Sequence, residues 1–363
     1  MQTSEYPYLS KIRNILLITV LGTCILYFAK SLLVPMVFGL VLAMLLIPLS
    51  KKLEAKGMNR ALAAVICILL MVLAFALIIG LLSWQMSNLV SDMGQIKQRL
   101  SEISSQVQDF VASHLGIAEA KQKEIVKKAN TGNSITILAR VTGNLLGILV
   151  NIILVLVYVF LFMYFRRHLM DFVLKASPDN QRQNISKLVP EASQVSQQYL
   201  GGLALMIVTL WVMYGIGFSL VGVHYAIFFA LLCGTLEIIP FIGNITGTTL
   251  TVLMGLIQGG DTKLILGILI TYGLVQFIQS YILQPLIVGK EVNLNPFFTI
   301  VSILIGDAIW EVPGMILAVP IFGMIKITCD HFDSLKPYGF LLGGDEKQDE
   351  PSGIFNRIKQ MFK

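Results

Sequence analysis

The chain has 363 residues, of which 55% are hydrophobic and only 13% charged, and its mean hydropathy is +0.76. A water-soluble domain carries about twice that share of charge, so the composition excludes an ordinary soluble enzyme and predicts an all-α polytopic membrane protein in contact with a lipid bilayer. The net charge of +6 is no nucleic-acid footprint, because the basic residues flank apolar runs instead of forming one patch.

Apolar windows long enough to cross a bilayer occur at residues 14–29, 32–49, 61–82, 145–165, 203–221 and 264–286. Lys11 and Arg13 precede the first window, but Lys30 and another apolar run follow it. It therefore reads as a retained helix and not as a cleaved signal. Basic residues cluster on alternate flanks: Lys11 and Arg13; Lys51, Lys52, Lys56 and Arg60; Arg166, Arg167 and Lys175; and Lys326, Lys336, Arg357, Lys359 and Lys363 in the tail. The opposite short loops carry only Lys30 and Lys263. The positive-inside rule then predicts a multi-pass protein of a bacterial inner membrane with both termini cytoplasmic.

Between the third and fourth windows lies a polar insert, extracytoplasmic by this topology. Leu89, Met93, Ile96, Leu100, Ile103, Val107 and Phe110 recur at alternating steps of four and three, an a/d stripe. Such a stripe fits either a homo-oligomer contact or a helix lying on its own membrane domain. Residues 166–200 read as a cytoplasmic helical linker. Ile354, Phe355, Ile358, Met361 and Phe362 alternate with basic residues near the end, as in a short amphipathic helix on a membrane surface or a frayed tail.

Two further apolar segments, 225–257 and 297–327, are each interrupted by an acid, a proline and a glycine. The first contains Glu237, Pro240 and Gly243, and the second Glu311, Pro313 and Gly314. As unbroken helices they would measure about 47–50 Å against about 30 Å of hydrocarbon. Each reads as a re-entrant hairpin with limbs of half-membrane depth, or else as a kinked, tilted span. Val-Gly, Phe-Phe, acid and proline occur in the same order in both segments, each after one span. This suggests an inverted repeat of span plus hairpin, an arrangement that secondary transporters use for alternating access.

Glu237, Asp307 and Glu311 are acids within apolar segments, where a carboxylate is protonated, paired or facing a wet cavity. Asp307 and Glu311 are four residues apart and would share a helical face. Together the three acids would suit a monovalent cation or protons; the alternative is that some sit at the water interface. Asn244 and Thr246, Thr248, Thr249 and Thr251 form a polar run after Gly243. Tyr272, Gln276, Gln279, Ser280 and Gln284 fall on one helical stripe. The stripe fits a solute path or helix-to-helix packing equally well; for the threonine run, which could also line a path, packing is the commoner role in membranes.

Nothing in the chain points to catalysis or to a bound cofactor, with Na+ or H+ left as coupling ions. No Gly-rich phosphate loop precedes a Lys-Ser/Thr pair. Cys24, Cys67, Cys233 and Cys329 lack metal-ligand spacing and read as buried free thiols. His114, His168, His224 and His331 show no zinc-protease pattern.

The run Ile239-Pro240-Phe241-Ile242-Gly243 resembles motifs of the autoinducer-2 exporter-like family of bacterial permeases. So do Gln284-Pro285 with Gly289-Lys290, Pro296, and the stretch from Pro313-Gly314 to Pro320. The resemblance runs from about Ile15 to Lys336. It implies a multispan carrier without its own ATPase, export of a small polar solute such as autoinducer-2, and for some members sodium(lithium)/proton antiport. It carries Glu237, Pro240, Gly243, Gln284 and Pro285, and does not carry Asp307 or Glu311. A third reading, from a different class, is a membrane scaffold working through the external stripe. The expected blocks are N-terminal spans 1–82, the insert 83–143, a fourth span 144–165, the linker 166–200, a core transport region 201–327 and a tail 328–363.

Overall fold

The computed structural model describes residues 7–91, 94, 98, 134–240, 242–257, 259–288 and 294–344. Its elements are α1 (Pro7–Phe28), α2 (Lys30–Ala55), α3 (Arg60–Ser91), α4 (Ser134–Ala176) and α5 (Arg182–Val221). They continue with α6 (Ala226–Leu236), α7 (Ile242–Ile257), α8 (Thr262–Ile278), a π-helix (Gln279–Val288), α9 (Pro296–His331) and α10 (Lys336–Leu342). Among the described residues there is no strand, only an isolated bridge between Leu294 and Gly343. Among these residues, six helices are long and apolar enough to cross a membrane, by length and composition. The all-α polytopic class expected from composition is what the chain adopts.

Helix starts follow local chemistry. Asn59 accepts from the Leu62 amide at 2.8 Å ahead of α3, and Asp261 accepts from the Leu264 amide at 3.1 Å ahead of α8. Asn295 accepts from the Phe297 amide at 3.0 Å, with Pro296 at the first turn of α9, where its missing amide proton costs nothing. The long helices leave most of their large apolar side chains exposed, Phe28, Leu73 and Leu220 among them. A contiguous apolar exterior of this kind is a lipid-facing surface.

The chain forms two compact units. The first comprises Met1–Ala64, Tyr158–Gly202 and Val288–Lys363; the second comprises Val65–Val157 and Leu203–Ile287.

In the first unit, α1, α2 and α9 pack together, and α10 folds back on α9. Two charged pairs mark the two ends of α2. At its start, Lys30 Nζ donates to Glu311 Oε1 at 3.1 Å. Near its end, Arg166 Nη2 donates to Glu54 Oε2 at 2.6 Å, and Ser50 Oγ donates to the other oxygen at 2.8 Å. The 24 residues from Lys30 to Glu54 rise about 36 Å, slightly more than the hydrocarbon thickness. Gln197 of α5 donates to the Met44 carbonyl at 2.8 Å, midway along α2.

Helix α9 is a hairpin. Glu311 has φ 57° and ψ −142°, which breaks the helix into limbs 296–310 and 312–331. Gly306 and Gly314 face each other across the fold. A Cβ on either would collide with the other's carbonyl oxygen, so only glycine permits this backbone approach. Trp310 Nε1 donates to the Leu26 carbonyl at 2.9 Å, seating the turn beside the α1–α2 junction. This differs from the sequence expectation in two respects. The chain reverses at Glu311 and not at Pro313, which opens the second limb. That limb, about 30 Å long, exceeds half-membrane depth. Glu311 itself carries the break, so it ends the first limb one turn after Asp307 and is not part of a continuous helix with it.

In the second unit, α6 and α7 form the other hairpin, packed limb on limb. Residues 237–240 make the turn, closed by amide bonds from Ile238 to Thr235 O at 3.2 Å and from Ile239 to Leu236 O at 2.9 Å. Trp211 of α5 donates to the Leu231 carbonyl at 3.1 Å and to Thr235 Oγ1 at 3.2 Å, pinning α6 against α5. Helices α5 and α8 approach closely where Gly217 faces Thr271, the small-residue contact expected between membrane helices.

Candidate functional site

Within the second unit, the first hairpin carries a carboxylate at its turn. Glu237 is half-buried at the C-terminal end of α6. Its Oε1 accepts from Gln279 Nε2 at 2.6 Å. Gln279 is 5% exposed, and its Oε1 accepts in turn from Gln276 Nε2 at 3.0 Å. The same Gln276 amide nitrogen donates to the Tyr214 hydroxyl at 3.4 Å. Tyr214 is 1% exposed, so its hydroxyl lies deep in the unit.

Gln279 presents its nitrogen to Glu237 and its oxygen to Gln276, whose own nitrogen reaches both Gln279 and the Tyr214 hydroxyl. An acceptor-only carboxylate is the natural end of such a series. The other carboxyl oxygen, Oε2, is buried and has no hydrogen-bond partner among the described residues. A group so placed can hold a proton, or contribute one oxygen to a cation or to a polar solute.

Around the hairpin the polar run divides. Thr251 Oγ1 donates to the Gly247 carbonyl at 2.8 Å and lies 3.6 Å from Cys233 Sγ, a structural use of its hydroxyl. Thr248 is buried, and its Oγ1 has no hydrogen-bond partner among the described residues. Thr246 and Thr249 are exposed and Asn244 is half-buried. Pro240 is half-buried in the turn. Gly243 is buried where a Cβ would run into the Leu236 carbonyl.

The polar stripe of the following helix also divides. Gln276 and Gln279 face inward, with Tyr272 half-buried, whereas Ser280 and Gln284 are exposed. The change of face coincides with the π-helix that begins at Gln279. Its i→i+5 bonding widens the turn, so residues phased for 3.6 per turn drift off the shared face. Pro285, which has no amide proton to give, lies within this stretch.

Asp307 and Glu311 belong to the first unit. Both are exposed, and Glu311 is paired with Lys30. Pro313 is half-buried and Gly314 buried beside Gly306. Among the external stripe, Met93, Ile96, Leu100, Ile103, Val107 and Phe110 lie outside the described residues; Leu89 falls within α3, but its side chain is outside the description. The C-terminal residues 354–362 are outside it too. Of the thiols, Cys67, Cys233 and Cys329 are buried as expected, but Cys24 is exposed, on the outer face of α1. Among the described residues, no cluster of three or more His, Cys, Asp or Glu could hold a metal ion.

The sequence reading missed Tyr214. Its signal was a lone phenol in the apolar run 203–221, where a buried hydroxyl needs a partner. It also passed over Glu54 as the partner of Arg166, and Trp310 at the second turn.

Comparison with known proteins shows where this arrangement belongs. The model of the family described as "AI-2E family transporter" matches residues 16–334. The chain belongs to the AI-2E family. Among its relatives is YrrI of Bacillus subtilis (strain 168), provisionally named a transport protein. It is 23% identical over 320 residues, 84% of this chain and 87% of the relative. PerM of Escherichia coli (strain K12), provisionally named a permease, is 28% identical over 321 residues, 86% and 90% of the two chains. YueF of Bacillus subtilis (strain 168), again provisionally a transport protein, is 29% identical over 185 residues, about half of each chain. As an AI-2E family member this is a multi-pass membrane permease, working in a lipid bilayer on a solute.

Proposed function

We propose that this AI-2E family protein is a secondary transporter of a bacterial inner membrane, with both termini cytoplasmic, that exports a small polar solute such as autoinducer-2 by alternating access. The observation that carries the reading is the buried series from Tyr214 through Gln276 and Gln279 to Glu237, with one carboxyl oxygen left unpartnered. A polar line through an apolar unit is costly unless function retains it. In this reading Glu237, Gln276 and Gln279 contact the solute, with Asn244 at the edge of the path. The two hairpins, turning near Pro240 and at Glu311, are the moving parts. No ATP-binding motif precedes any helix, so the drive is an ion or solute gradient. The chain carries no bond chemistry of its own. Self-association through the stripe from Leu89 to Phe110 is part of the same proposal.

Inverted membrane vesicles containing the protein test it. They should accumulate labelled autoinducer-2 faster than empty vesicles, and Gln279→Leu should abolish the difference. Equal uptake with and without the protein would overturn the export reading.

A second reading is supported by the same unpartnered oxygen: monovalent cation/proton antiport through Glu237. A sodium or lithium jump should then move protons, reported by an entrapped pH dye, and Glu237→Gln should stop it. A dye that stays silent in the wild type, or proton movement that survives Glu237→Gln, would sink antiport.

A further inference from the structure

Away from the glutamine series, the first unit carries a groove of about 440 Å³ lined by Asn59, Arg60, Ala61, Tyr164, Phe165 and His168. It lies where three apolar runs stop. The run of α2 ends at Leu49 before Lys51 and Lys52; that of α3 begins at Ala61 after Arg60; that of α4 ends at Phe165 before Arg166, Arg167 and His168. The half-buried Glu54–Arg166 pair ties the end of α2 to α4 at this level. Coincident ends of three apolar helices mark the boundary between hydrocarbon and water. Tyr164 and Phe165 stand on the apolar side, as aromatic residues do at that depth.

The charges at this boundary are unbalanced. Glu54 is taken by Arg166, leaving Arg60, Arg167, Lys51, Lys52 and Lys56 in the surroundings. Arg60 is half-buried and makes no ion pair among the described residues, although its charge also acts on Glu54. Asn59 and His168 add hydrogen-bonding groups to the same wall. A half-buried guanidinium aimed at a groove of headgroup size, with aromatic rings on the acyl side, suits a phosphate ester whose tails remain in the bilayer.

We infer that the groove between the start of α3 and the C-terminal third of α4 binds the headgroup of an anionic phospholipid, with Arg60 as the phosphate ligand. The groove shares no residue with the proposed solute path, and the inference does not depend on which solute is carried.

The test uses the full-length protein in mild detergent, titrated with phosphatidylglycerol or phosphatidylcholine of matched chains, with retained lipid read by native mass spectrometry. Wild type should retain phosphatidylglycerol in preference to phosphatidylcholine. Arg60→Gln should weaken phosphatidylglycerol binding about fivefold, the effect of one basic residue near an anionic surface. Arg60→Lys should keep most of it. Lys175→Gln, about a Debye length farther along α4, should change it by less than about twofold. Millimolar inorganic phosphate should leave lipid retention unchanged, because it brings no acyl chains. Equal retention of the two lipids by wild type, a comparison needing no variant, would overturn the inference, as would unchanged binding in Arg60→Gln. Displacement of the lipid by inorganic phosphate would assign the groove to a free anion and overturn the lipid reading.

Discussion

Lys30 donates to Glu311 at 3.1 Å across 281 residues of chain, and it does so at a residue whose own backbone is in the left-handed half of φ space. Few non-glycine residues take φ 57°, and holding one there costs about 1–3 kcal/mol. The ion pair is exposed, with side chains 45% and 77% accessible, so it returns less than about 1 kcal/mol. The turn is thus held by its surroundings, chiefly Trp310 on the Leu26 carbonyl and the Gly306–Gly314 contact. Both Glu311→Ala and Glu311→Gly lose the carboxylate, but only glycine relieves the backbone. Glu311→Gly should therefore be more stable than Glu311→Ala by about 1 kcal/mol, read from thermal midpoints in detergent. The reverse order would show that Glu311 is not held at positive φ.

The Gly306–Gly314 approach leaves no room for a side chain. Gly306→Ala should push the two limbs of α9 apart and cost about 1–3 kcal/mol, the range for overpacking. Gly273→Ala in α8 is the matched control. A Cβ there meets nothing within 4 Å, so the change should stabilise by about 0.5–1 kcal/mol through helix propensity. Equal effects at the two sites would show that α9 does not fold back as described.

Much of the fold was legible because bilayer physics is coarse. Long apolar runs, basic flanks and an acid-proline-glycine break are each visible in the letters, and the two hairpins follow from them. What failed did so for local reasons. The second reversal was expected at Pro313, but a proline can open a helix limb without making the turn, and positive φ at Glu311 has no residue signature. The stripe from Tyr272 to Gln284 was phased for an α-helix, and a π-helix starting at Gln279 carries Ser280 and Gln284 off its inner face. Within the site, Gln279 and Glu237 were both singled out, but their contact spans 42 residues, with α7 and α8 between them. Periodicity along one helix says nothing of a bond to another. Tyr214 was missed because one hydroxyl barely alters an apolar window.

Gln279 is the only described hydrogen-bond donor to Glu237, and it is itself buried. Replacing it by Leu leaves the carboxyl with both oxygens unpartnered, at about 1–3 kcal/mol or more for a charged group. Tyr214→Phe removes only a long 3.4 Å contact at the far end and should cost less than about 1 kcal/mol. Transport should follow the same order, lost in Gln279→Leu and retained in Tyr214→Phe. Retention in Gln279→Leu with loss in Tyr214→Phe would place the working end of the series at the phenol and not at the carboxylate.

The Glu54–Arg166 pair is half-buried, with side chains 18% and 15% exposed, and Arg166 Nη1 is enclosed without a hydrogen-bond partner among the described residues. Breaking a half-buried pair from one side costs about 1–3 kcal/mol, less than for a fully buried pair, because the remaining charge is partly solvated. Glu54→Gln should therefore lower stability by an amount in that range. The double change Glu54→Leu with Arg166→Leu removes both charges and should cost less than Glu54→Gln alone, since no unpaired ion is left behind. Its orientation in the membrane should not change, because Lys51, Lys52, Lys56, Arg60 and Arg167 keep the same flank basic. Unfolding midpoints of Glu54→Leu, Arg166→Leu and the double in the same detergent decide the matter. A double variant as unstable as the sum of the singles would mean that the two side chains act independently and that the bond between α2 and α4 carries no coupling.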